Sequence, residues 1–122
     1  MPAAAIVTVD GTITSTPTGK RTLGPMVLTS ANANSQVQRI VLQSGTNTIT
    51  VPTVPAPTGC IIQLPATNTA ATTLKGVTGD TGVLIGKTGF IVLSWEAASA
   101  PAAFDLTSAA TQTGLVTEIA FF

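Results

Sequence analysis

The chain has 122 residues, formal net charge zero and 8% charged side chains, where about 25% is usual for a soluble domain. It carries 23 threonines and 17 alanines but no histidine, no tyrosine and a single cysteine, and its mean hydropathy is +0.49. That length suits one domain with its own core, and the missing histidine and tyrosine remove much catalytic chemistry.

The chain reads as strands from its start. Val7, Val9 and Ile13 fall on odd positions while Thr8, Thr12, Thr14 and Thr16 fall on even ones, the two-residue period of a strand with one apolar face. Asp10-Gly11 is a hairpin turn signal inside that run and predicts two strands, over 4–9 and 12–16. TLGPMVLT (22–29) and QVQRIVLQ (36–43) are the next candidates, separated by the polar loop SANANS. Ser44-Gly45-Thr46-Asn47 predicts a turn into TNTITV, where Asn47, Ile49 and Val51 alternate with Thr46, Thr48 and Thr50. The link PTVPAP (52–57) cannot be a central strand, because proline has no N–H for the ladder. GCIIQLP, TTLKGV, GVLIG, GFIVLSW, AAFDL and GLVTEIAFF complete the strand candidates. WEAASAPAAFDL is alanine-rich, but Pro101 cuts it, which predicts a loop or a single turn in place of a helix. The expected fold is all-β: an antiparallel β-sandwich, jelly-roll-like, of about eight to ten short strands. An N-terminal extended arm or first strands at 1–25 would precede a β-sandwich domain at 26–122.

Composition also weighs on function. Lys20, Arg21, Arg39, Lys75 and Lys87 are scattered and matched by Asp10, Asp80, Glu96, Asp105 and Glu118, so no clustered cationic footprint for nucleic acid is visible. The uncharged stretch 40–74 is interrupted by Pro52, Pro55, Pro57 and Pro65, and no run approaches the roughly 20 apolar residues of a membrane-spanning helix. MPAAAIVTVD lacks the basic start of a secretory signal. Cys60, alone between apolar neighbours, reads as a buried structural thiol, and no cofactor or metal site is expected.

Three motifs invite chemistry. TGVLIGKT (81–88) nearly spells a phosphate-binding loop, but Thr81 stands where the first glycine is required and a strand-like segment follows in place of a helix. Asp105 and Glu118, read on adjacent late strands, are the one carboxylate pair that a glycosidase could use, and nothing supplies a general base; no enzyme is expected. The T-x-T spacing sets hydroxyls on one side of a strand, read as an ordinary solvent face more than as a carbohydrate- or ice-binding one. Trp95 is the residue that could stack on a sugar, against the ordinary reading of a core tryptophan.

So few charges leave strand edges and surface poorly guarded, which points to obligate assembly. Phe121 and Phe122 alternate across a strand, so one can fill the core while the other docks on a neighbour; the competing reading covers both within the subunit.

SGTNTITVP (44–52) and TLKGVTGDTGVLIGKTGFIVLSW (73–95), followed by an apolar C-terminal strand, resemble small β-sandwich structural proteins of tailed-bacteriophage virions. The likeness covers the C-terminal two thirds and is one of texture, a strand, a Gly-Asp turn, a strand and a Gly-Phe strand. It carries over Gly79, Asp80 and Gly82 as turn formers and no functional residue. The resemblance implies a non-enzymatic virion protein, foremost a capsid decoration (cement) protein, with a tail, collar or head-fibre component as the alternative. Its implied partners are the major capsid protein or other virion proteins and further copies of itself, a trimer being favoured. Its implied place is the particle exterior after assembly in the host cytoplasm. In that setting the arm, with Ile6 and Val7, and the Phe121-Phe122 end are the candidate interface residues. A carbohydrate-binding module using Trp95 is the competing class.

Overall fold

A computed structural model describes residues 5–15, 19–30, 36–53, 56–77 and 79–122. The expected loop at 31–35, Thr16 and the Val54-Pro55 part of the proline-rich link lie outside them. The described residues are all-β, with ten strands that pair antiparallel and one three-residue 3-10 turn, Ala97–Ser99, among them. Among the described strands the first two, β1 (Ala5–Ser15) and β2 (Gly19–Ser30), pair with each other alone, as a ribbon. The other eight are β3 (Gln36–Ile40), β4 (Gly45–Thr50), β5 (Gly59–Gln63), β6 (Thr72–Lys75), β7 (Val83–Ile85), β8 (Phe90–Ser94), β9 (Ala103–Ser108) and β10 (Thr117–Phe121). They form two four-stranded sheets ordered β3-β10-β5-β8 and β4-β9-β6-β7.

Alternation builds the core. In β4 the side chains of Asn47 and Ile49 are buried while Thr46, Thr48 and Thr50 are exposed, and Val51 continues the buried set. Ile49, Ile85, Phe104 and Leu106 from one sheet join Cys60, Ile62, Ile119 and Phe121 from the other in a single apolar cluster. Two sheets that share one core satisfy the layer rule of β architectures.

The predicted hairpin at Asp10-Gly11 is corrected. β1 runs through those residues, and the chain reverses between Ser15 and Gly19, which face each other in the ladder. The irregularity that Asp10-Gly11 announces is a bulge: Val9 pairs with Met26 and Gly11 with Leu23, so Gly24 and Pro25 together oppose Asp10. Pro25 cannot donate to a ladder, and a bulge is where a strand tolerates it. Pro25 therefore lies inside β2, which runs to Ser30.

Buried amides pin the loops. Asn47 Nδ2 donates to the carbonyls of Gln43, Gly45 and Leu106 at 2.9, 3.2 and 3.1 Å, and its Oδ1 accepts from the Gln43 N–H at 2.9 Å. Asn68 Nδ2 donates to the Ala70 and Lys87 carbonyls at 3.0 and 2.6 Å, tying the loop before β6 to the turn after β7. Gln112 Nε2 donates to Thr72 Oγ1 and Ser108 Oγ at 3.1 and 3.0 Å, tying the β9–β10 connection to the paired strands β6 and β9.

Candidate functional site

The two outer faces of the molecule differ in chemistry, and the ladder registers show how. On the β4-β9-β6-β7 sheet, Thr46 faces Thr107 and Thr107 faces Thr73; alongside, Thr48 faces Asp105, and Asp105 faces Lys75. Thr48 donates its hydroxyl to Asp105 Oδ1 at 3.0 Å. This is the hydroxyl face that the T-x-T spacing predicts, extended over three strands by pairings no local pattern reveals.

The β3-β10-β5-β8 sheet is the opposite case. Its outward residues form one row Arg39, Glu118, Gln63 and Phe90, and a second row Val37, Ala120, Ile61 and Val92. The first is polar except at its end, with Arg39 Nε donating to Glu118 Oε1 at 2.9 Å. The second is apolar across all four strands, where a solvent-facing sheet surface would alternate to polar residues.

The ribbon meets that face. Val7 to Asp10 line, with Ile61, Phe90 and Val92, a cavity of about 190 Å³. Of the predicted interface residues, Val7 is half-buried on this side of the ribbon, whereas Ile6 is 66% exposed on the other. The Phe121-Phe122 expectation is corrected towards its alternative: both rings are covered within the chain, Phe121 fully and Phe122 at 4% exposure. Phe122 continues past β10, with its N–H bonded to the Gly59 carbonyl at 3.1 Å and its own carbonyl accepting from the Thr58 N–H at 2.6 Å. Its ring lies so close to Gly59 that a Cβ at that glycine would stand 2.6 Å from Phe122 Cζ.

Trp95 is half-buried. Its indole N–H donates to the Pro57 carbonyl at 2.8 Å, and it lines an open cleft of about 270 Å³ with Leu74, Lys75, Ser94, Pro101 and Phe104. Gly82, Asp80 and Gly79 lie in the β6–β7 connection. Asp80 closes a turn, its Oδ2 accepting from the Val77 N–H at 3.0 Å and its N–H donating to the Val77 carbonyl at 3.1 Å. Gly82 has φ +75°, and a Cβ there would run into the Leu74 carbonyl.

The carboxylate pair is corrected as well. Asp105 on β9 and Glu118 on β10 belong to different sheets, Asp105 bonded to Thr48 and Glu118 to Arg39, so they are not neighbours on adjacent strands. Lys87-Thr88 forms a turn that leads into β8, so no helix N-terminus stands behind the TGVLIGKT sequence. Cys60 is buried, and that burial pushes its thiol up to about 12. Among the described residues no group of three or more His, Cys, Asp or Glu side chains is placed to hold a metal ion. No helix among them is long and apolar enough to cross a membrane.

Sequence reading missed the apolar row, because its four members come from four separate strands and only the register aligns them. Comparison with known protein families, with characterised proteins and with solved structures gives no match.

Proposed function

We propose that the chain is a non-enzymatic structural protein of a tailed-phage virion, foremost a capsid decoration (cement) protein on the particle exterior, built on an eight-stranded jelly roll. The strand order supports the jelly-roll reading: β3 to β10 interleave as β3-β10-β5-β8 and β4-β9-β6-β7, and every connection except β6–β7 passes from one sheet to the other. Jelly rolls serve viral shells and lectins alike, so the choice between roles rests on the surface. The observation that carries it is the apolar row Val37, Ala120, Ile61 and Val92 on an outer sheet face of a protein with 8% charged residues. Such a surface is stable in water when neighbours cover it.

The mechanism is mechanical. A protein that binds only assembled capsid subunits stabilises the assembly by its binding free energy, and no reacting group is required. The major capsid protein is the proposed partner, the protein is a homo-oligomer with a trimer favoured, and it assembles on the particle in the host cytoplasm. The test is co-sedimentation of the purified chain with capsids that lack it; a chain left in the supernatant at saturating capsid sinks the decoration role, and binding to tails or fibres instead assigns the alternative. The cleft beside Trp95 favours a second reading, a carbohydrate-binding module, because Lys75 and Ser94 supply polar groups next to the indole. A glycan array decides that reading, and it fails if Trp95→Ala leaves any glycan signal unchanged.

A further inference from the structure

The chain's aspartates are Asp10, Asp80 and Asp105, and the fold treats the first of them differently. Asp105 is 6% exposed and accepts a hydrogen bond from Thr48. Asp80 accepts one from the Val77 N–H. Asp10 is exposed, and no hydrogen bond or ion pair among the described residues holds its carboxylate. It also falls between ladder pairs: Val9 faces Met26 and Gly11 faces Leu23, which leaves Asp10 opposite the bulge with no single partner across the ribbon.

The residue that follows matters as much. A carboxyl group reaches the backbone nitrogen of the next residue most easily when that residue is glycine, because any Cβ, and a branched one above all, crowds the approach. Asp80 precedes Thr81 and Asp105 precedes Leu106, whereas Asp10 precedes Gly11. Gly11 is exposed, and the place a Cβ would take has no atom within 4 Å. Side-chain amides can react in the same way, but the described asparagines are held. Asn47 and Asn68 are buried, bonded through both amide atoms, and followed by threonines.

We propose that Asp10-Gly11 is a site of spontaneous covalent modification, at which Asp10 isomerises to isoaspartate while the chain stays folded. The Gly11 backbone nitrogen attacks Asp10 Cγ. A C–N bond forms, the nitrogen gives up its proton, the protonated carboxyl gives up its hydroxyl, and one water departs from a five-membered succinimide. One water then reopens the ring. Cleavage of the new C–N bond restores aspartate, and cleavage at the α-carbonyl leaves the main chain running through Cγ. No oxidant, cofactor or second protein takes part. The ribbon has room for the product: β2 places two residues, Gly24 and Pro25, where β1 places one, and isoaspartate adds a backbone carbon to the shorter side. The site is independent of the virion reading, which its failure leaves to the co-sedimentation test.

The experiment is prolonged incubation of the purified, folded chain at about pH 5, where part of an ordinary carboxyl population is protonated and able to lose its hydroxyl. Peptide mapping by mass spectrometry follows each aspartate with time, beside a synthetic peptide of residues 5–15 as the unfolded reference. The expected product is a peptide containing residues 10 and 11 with unchanged mass, a shifted retention time and resistance to an aspartate-specific protease. It forms within an order of magnitude of the rate in the free peptide, while Asp80 and Asp105 stay unmodified. Gly11→Ala slows the reaction several-fold. That variant keeps its fold, since Gly11 is outside the left-handed region and the new Cβ has open space, and circular dichroism checks it. An Asp10 that converts more than an order of magnitude slower than in the free peptide, or not at all, overturns the proposal. So does an Asp80 or Asp105 that converts as fast, or a Gly11→Ala chain that converts at the unaltered rate.

Discussion

Replacing Phe122 with alanine separates a core residue from a docking residue. The ring is 4% exposed, sits against Gly59, and belongs to a residue whose N–H and carbonyl both bond to the Thr58-Gly59 segment. Buried Phe→Ala changes cost about 3–5 kcal/mol, the lost transfer energy plus the cavity left behind. Phe122 follows the last residue of β10, where the backbone relaxes more easily than mid-strand, so the lower end, about 3 kcal/mol, is expected. For a domain of this size each kcal/mol moves Tm by about 3–4 °C, which gives a fall of about 10 °C. The assay is thermal unfolding by circular dichroism at several protein concentrations, with a denaturant titration to check that the slope is unchanged. Concentration matters because association of folded chains raises apparent stability. A Tm within 2 °C of the unaltered chain, together with loss of oligomer mass, would refute the reasoning and return Phe122 to the surface of a neighbour.

Gly82→Ala is expected to destabilise by at least about 1 kcal/mol, because φ is +75° and the new Cβ meets the Leu74 carbonyl, whereas Gly79→Ala, with open space around it, changes Tm little; equal Tm values for the two variants would contradict this. Cys60 in the native protein resists a maleimide at pH 8 and reacts once guanidinium unfolds the chain. Its raised folded value also sets a sign: below its ordinary 9.0 the thiol is protonated in both states, and as pH climbs from 9 towards 12 the unfolded chain ionises first, so stability drops. A Cys60→Ser variant that loses stability over that window as steeply as the unaltered chain removes the thiol as the cause. Arg39→Ala is expected to cost under about 1 kcal/mol, since the ion pair with Glu118 is solvent-exposed on both sides; denaturant titrations showing a larger loss would mean that Arg39 does more than pair with Glu118.

What the sequence disclosed was whatever is written in short runs. The T-x-T alternation of β4, the apolar run of β5, the proline-rich link and the break at Pro101 each depend on a few consecutive residues, and the structure has β4, β5 and the 3-10 turn where those patterns lie. Asp10-Gly11 satisfies a turn and a bulge equally well, and the choice belongs to the partner strand, where Gly24 and Pro25 together oppose Asp10. Asp105 and Glu118 were set on neighbouring strands because β9 and β10 are consecutive in sequence, while the chain alternates between sheets. Alternation along β10 leaves Phe122 open to either reading, docked on a neighbour or covered within the subunit, and the choice is made by Gly59, which gives its ring a place. The buried amides of Asn47, Asn68 and Gln112 resemble any loop polar residue until their carbonyl or hydroxyl partners are known.

The position of β10 between β3 and β5 has a consequence for how the molecule is made. Arg39 and Glu118, bonded across β3 and β10, are 79 residues apart in the chain. Until β10 emerges from the ribosome, β3 lacks its one partner among the described strands and β5 exposes one bare edge. Folding of that sheet therefore waits for the end of the segment, is slowed by the long loop it must close, and leaves apolar strand edges open to other nascent chains meanwhile. Any protein folded this way and made in many copies at once would meet that hazard in proportion to its own rate of synthesis.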